Sequence, residues 1–257
     1  MDTNNFDEKT QFLEVRLDEE GKAYIFPIIK NTEFGFNPDK VIKITEEDFN
    51  VAFEFSYKMT FGHQGEHNPS SFTSDSGYDR KPGEIFVNTF QGKLSEVAVH
   101  KYCLDNNFEC SNVDFTVGQL EFWDNIDLVI NKKNVSVKST KGFSRFLLLE
   151  VKNYDEQGNY KYPYNKGFVV DSYLLCRVQG ENCYFTNNIE SVEGIFKQKR
   201  WLYSENLEFQ ELFNELSKRI WYVEITGFVS KKKLSEYVIK QRHIMKEGKI
   251  MGKSNEK

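Results

Sequence analysis

A chain of 257 residues with 39% hydrophobic and 15% aromatic residues carries enough apolar material for a sizeable core, which excludes a disordered protein. Its net charge of −5 excludes a basic surface spread over the whole chain, so a polyanion would be met by a local patch. No apolar run approaches the ~20 residues of a membrane span. The first residues are polar and acidic, with no secretory signal pattern, and the expectation is a cytoplasmic protein with reduced thiols. The four cysteines are Cys103, Cys110, Cys176 and Cys183. Their two Cys-x6-Cys spacings exceed the two to four intervening residues of a zinc knuckle, so buried structural thiols are the simpler reading.

In chain order, residues 1–60 hold 13 Asp/Glu against 7 Lys/Arg and mix short apolar stretches with acidic turns. Residues 1–85 read as an N-terminal layer of strand and helix, ending in a polar loop over 61–84 and packed on the core. Asn88 is a plausible N-cap, and Phe90, Leu94, Val97 and Leu104 follow at near-helical spacing, so a helix is predicted from there to about residue 106. A hairpin over 127–138 comes next. Residues 146–151 are ambiguous between strand and helix. A polar insert at 153–166 precedes a strand over 167–178, a helical region over 189–222 and a strand over 221–228. Residues 231–257 hold 9 Lys/Arg against 3 Asp/Glu and read as a basic C-terminal helix and tail. This order predicts an α/β fold, a mixed central β-sheet flanked by helices, with 86–230 as the core segment.

The hairpin brings an acid and a lysine together. With a four-residue turn at 131–134, Ile130 faces Val135, Leu128 faces Val137 and Asp127 lies opposite Lys138. Side chains alternate with period two, so Asp127, Ser136 and Lys138 share one face. A carboxylate beside a lysine on a sheet edge suits a metal-dependent phosphodiesterase; the bland alternative is a surface ion pair worth ~0–1 kcal/mol.

Gly92-Lys-Leu-Ser-Glu96 on the predicted helix, Asp127 on the hairpin and Ser136-Val-Lys138 on its second strand together resemble the PD-(D/E)xK nuclease superfamily. Within it, the chain is most similar to type II restriction endonucleases, over roughly residues 86–180. Serine stands where the triplet usually starts with an acid, as in the subset with Ser-x-Lys that takes its missing carboxylate from a glutamate further along. Glu150 fits that position here. A second alignment reads Glu150-x-Lys152 as the triplet and competes for the lysine; the hairpin register favours Lys138.

The resemblance implies a restriction-endonuclease-like core in which Asp127, Glu150 and the Val137 carbonyl hold Mg²⁺ through hard oxygen donors. Lys138 would orient or deprotonate the attacking water and offset charge on the phosphate. Glu96, which lies off the Phe90–Leu94–Val97 stripe where most glutamates are solvated, would hold an outer metal water. It further implies double-stranded DNA as substrate, a homodimer matched to a palindromic site and a cognate DNA methyltransferase as functional partner. Polar and basic side chains that read base edges are available in 61–84 (Gln64, Asn68, Ser74, Arg80), in 153–166 and from Lys231 onward. Two alternatives stay open: a catalytically decayed DNA-binding module on a nuclease fold, and a structure-specific repair nuclease. His63-Gln-Gly-Glu-His67 spells an inverted zinc-protease motif, but that chemistry needs a helix, which Gly62, Gly65 and Pro69 disfavour.

Overall fold

The apolar alternation seen in the sequence builds one five-stranded sheet. The computed structural model describes residues 12–17, 23–28, 40–65, 80–117, 126–141, 169–180 and 191–235, with single positions at 147, 155, 157 and 159. The strands are β1 (Phe12–Leu17), β2 (Ala23–Ile28), β3 (Val41–Lys43), β4 (Leu128–Ile130), β5 (Lys133–Lys141), β6 (Ser172–Gly180) and β7 (Trp221–Ser230). The helices are α1 (Glu46–Met59), α2 (Pro82–Asp105), α3 (Val192–Gln198) and α4 (Phe209–Leu216), with a 3-10 turn at Trp201–Tyr203. β1 and β2 pair as an antiparallel hairpin of their own. The main sheet runs β3-β7-β6-β5-β4, with β5 and β6 parallel and the other neighbours antiparallel. It is the mixed central sheet with flanking helices that the element order predicted.

Helix α2 is the centre of the molecule. It begins at Pro82, six residues before the expected start at Asn88. Proline suits the first helical position because its missing N–H has no intrahelical partner there. Glu84 supplies the cap, accepting the Lys81 backbone N–H at 2.9 Å. At Gly83 a Cβ would lie 2.1 Å from the Trp201 carbonyl oxygen, so glycine lets this helix end press against the 3-10 turn. The polar look of 81–84 reflects this contact rather than a loop.

Phe86, Phe90 and Leu94 are fully buried along α2. They share one hydrophobic core with Val135 and Val137 of β5, Cys176 and Val178 of β6, and Val223 and Ile225 of β7. Above this layer α1 lies on α2, its entry fixed by a capping box between Thr45 and Asp48. The high phenylalanine count is used here. Phe90 meets Phe49, Phe53, Phe86 and Trp221 at ring-centroid distances of 5.6, 6.2, 5.6 and 6.0 Å. β3 completes one edge of the sheet, so residues 40–65 join the described residues of 86–230 in one core.

Toward the C-terminus the expected helical region resolves into α3, the 3-10 turn and α4, where Leu212 and Leu216 are fully buried. Residues 231–235 add one helical turn after β7. The remainder of the basic C-terminal segment lies outside the described residues. Among the described residues no helix is long and apolar enough to cross a membrane.

Candidate active site

The hairpin β4–β5 turns in two residues, not four. Asn131 and Lys132 both adopt left-handed backbone, with φ of 48° and 63°, as the tight type I′ turn requires. The resulting register pairs Leu128 with Val135, Val129 with Asn134 and Ile130 with Lys133. Asp127 therefore does not lie opposite Lys138, as a four-residue turn would place it; the register is displaced by two residues. An even displacement preserves which side chains share a face, so Ser136 and Lys138 remain on one side of β5. Asp127 sits beside Ser136. The Ser136 hydroxyl donates to Asp127 Oδ2 at 3.0 Å, and the Val137 N–H donates to the same oxygen at 2.6 Å. The Asp127 N–H in turn donates to the Val135 carbonyl at 3.1 Å. Ser136 thus acts as a hydrogen-bond donor that orients Asp127.

The outer side of β4 is held as firmly. Cys110 bridges to Ile130, the Ser111 N–H donates to the Val129 carbonyl at 2.9 Å, and the Val129 N–H donates to Ser111 Oγ at 2.9 Å. On the inner side the β4 ladder stops at Leu128–Val135, two residues short of Val137. A strand residue sends its N–H and C=O to the same side. Val137 donates to Asp127, so its carbonyl also leaves β5 toward the Asp127 side.

Glu96 is placed at this site from α2, and it is not solvated: it is only 7% exposed. Its carboxyl pKa is raised from 4.5 to about 8, first by burial and then by the negative charge of Asp127, with Lys93 and Lys138 opposing both. Lys93 Nζ donates to Glu96 Oε2 at 2.6 Å. Lys138, half-buried on β5, makes no hydrogen bond or ion pair with any described residue. Helix α2 and the β4–β5 hairpin, far apart in sequence, thus bring Glu96 within electrostatic reach of both Asp127 and Lys138.

A pH dependence follows from Glu96. Its folded-state pKa is raised, so the folded protein binds this proton more tightly than the unfolded chain. The stabilisation is complete below pH 4.5 and is lost as the pH rises toward about 8. Denaturation of the metal-free protein in EDTA should show this loss. Glu96→Gln, which stays neutral, should flatten the slope and be the more stable protein at pH 8. Parallel pH profiles for the two proteins would contradict the raised carboxyl.

The donors here are carboxylates and a backbone carbonyl, a hard oxygen set of the kind that Mg²⁺ takes. Asp127 Oδ1 and Glu96 Oε1 accept no hydrogen bond from any described residue and are the oxygens that fit a cation. Glu150 and Lys152, the other expected participants, lie outside the described residues, and so does most of the 153–166 insert. Among the described residues no group of three or more His, Cys, Asp or Glu converges; Glu96 and Asp127 are a pair.

Of the residues considered for base reading, Gln64 is exposed and Arg80 half-buried, while Asn68 and Ser74 fall outside the described residues. His63 sits in a turn with φ of 51°, not in a helix, so a helical H-x-x-E-H site does not start there. Cys103, Cys110 and Cys176 are free thiols, and Cys183 lies outside the described residues. Burial pushes the Cys103 thiol up to about 12, which marks it as inert. The sequence reading missed Lys93 as a member of the site. Its i,i+3 spacing from Glu96 was the available signal, but nothing local distinguishes that pair from a surface one. Compared with family models, curated proteins and solved structures, the chain matches none.

Proposed function

We propose that this protein is a Mg²⁺-dependent endodeoxyribonuclease of the type II restriction kind, hydrolysing phosphodiester bonds in double-stranded DNA. The observation that carries the reading is the meeting of Glu96, Asp127 and Lys138 where β5 outruns β4. Asp127 and Glu96, with the Val137 carbonyl and Glu150, would hold the metal. When bound, Mg²⁺ supplies Lewis acidity and an acidified water for in-line attack at phosphorus. Ser136 and the Val137 N–H fix the Asp127 carboxylate in one orientation, which preorganises the site. Lys138 offers an ammonium, without an ion-pair partner among the described residues, to orient the attacking water and to offset charge that grows on the phosphate oxygens. A homodimer on a palindromic site, a companion DNA methyltransferase and a restriction-endonuclease-like core belong to the same proposal.

Ser136 favours one other reading, a DNA-binding module that has lost catalysis, because the first acid of the triplet is absent. Incubation with phage DNA separates the possibilities. Discrete fragments in Mg²⁺ support a site-specific enzyme. A smear identifies a nuclease without sequence preference. DNA left intact in both Mg²⁺ and Mn²⁺ removes the enzyme reading and leaves the binding module.

A further inference from the structure

Lys93 and Glu96 are the more shielded kind of helix pair, close in exposure to Arg219–Glu215 at 21% and 13%. Their side chains are 15% and 10% exposed, whereas the i,i+4 pair Lys58–Glu54 is 41% and 55% exposed. The Lys93 ammonium lies 4.9 Å from the centre of the Phe55 ring and 5.8 Å from that of Phe115. Those rings meet edge to face at 6.0 Å and come from α1 and from the segment after α2. Two aromatic faces and a carboxylate therefore fix one cation in place. Its charge is also felt at Asp114: burial pushes that carboxyl up, but hydrogen bonds from Thr116 and the Lys93 ammonium together bring it below its ordinary value.

We infer that Lys93 is a built-in counter-ion: its ammonium holds one oxygen of Glu96, beside the oxygen that a divalent cation takes, and so sets the cation concentration at which the site fills. The inference rests on the metal-site reading above. Glu96 and Asp127 bring two carboxylates, and Lys93 and Lys138 bring two ammonium groups within reach of Glu96. Above about pH 8, where Glu96 is ionised, the metal-free site is thus close to charge balance. A dication at Glu96 Oε1 meets the repulsion of an ammonium only 2.6 Å from the other oxygen of the same carboxylate. Lys93 acts through Glu96 and is a positioning residue, not a catalytic one.

The test is Mn²⁺ binding to the DNA-free protein, followed by the EPR signal of free Mn²⁺. Asp127→Asn should remove the site and identify its share of the signal. Lys93→Met keeps the stem packed between the rings and removes the charge; it is expected to tighten Mn²⁺ binding at least about tenfold. Lys93→Arg, which keeps the charge, should stay within about threefold of wild type. Lys197→Met, in the exposed pair with Glu193, should change nothing. A merely structural lysine would give unchanged or weaker binding in Lys93→Met, and that result overturns the inference. Lys93→Gln is the second variant, with the same expectation should Lys93→Met fail to fold. Absence of saturable Mn²⁺ binding to the wild-type protein would sink the metal-site reading, and this inference with it.

Discussion

Under the proposed nuclease function, Lys138→Ala is expected to lower the rate of DNA cleavage by about 10²–10³-fold, the usual loss when one preorganised group that stabilises transition-state charge is removed. Stability should be almost untouched, within about 0.5 kcal/mol, because the ammonium has no hydrogen bond or ion pair with any described residue whose loss would be felt. The combination separates a functional lysine from a structural one. Asp127→Asn should lose cleavage to a similar degree. It keeps the hydrogen bonds to Ser136 and Val137 within reach of its remaining oxygen but gives up the charge that a cation needs. The decisive comparison is with Lys152→Ala. Rate assays on plasmid DNA, paired with thermal melts, would settle which lysine works. Full activity in Lys138→Ala together with its loss in Lys152→Ala would move the site to the Glu150-x-Lys152 alignment.

Phe90→Ala should cost about 3–5 kcal/mol, at the upper end for a single core truncation. The ring is fully buried and contacts four others, two from α1, one from α2 and one from β7. A cavity at that junction has no flexible neighbour to collapse into, because the surrounding rings are themselves interlocked. A folded domain holds only about 5–15 kcal/mol in total, so this variant should melt roughly 6–20 °C lower or fail to accumulate. Urea denaturation gives the number directly, and a loss under about 1 kcal/mol would mean that the aromatic layer is not the structural centre. Phe90 lies on α2 but away from Glu96, so residual folded protein should keep the cation affinity of the wild type.

Part of this site was legible in the order of residues alone. Period-two alternation placed Asp127, Ser136 and Lys138 on one face, and that survives because the register differs by an even number. The register itself was misjudged because Asn131-Lys132 lacks the glycine that announces a two-residue turn. Lysine in left-handed backbone carries no local signature. The start of α2 was hidden for a related reason: Gly83 reads as loop, while its use is a close approach to the Trp201 carbonyl some 118 positions later in the chain. Glu96 was legible as a candidate but not as a buried group. Its partner Lys93 is in turn fixed over the Phe55 and Phe115 rings, and those are contributed by remote segments. Local patterns reach as far as one strand pair or one helix face; the assembly of three such pieces is tertiary information.

The two left-handed residues at Asn131 and Lys132 make the hairpin about as short as a hairpin can be, and this limits how the gene can change length there. A codon added or removed at the turn would, where the two-residue turn re-forms, rotate every later residue of one strand by half a pleat, sending Lys138 into the apolar layer and Val137 out of it. Length changes in pairs would leave the facing intact. Insertions and deletions at this turn should therefore be tolerated in twos and rejected singly, and a library of turn-length variants would show an even–odd alternation in activity that no substitution scan could reveal.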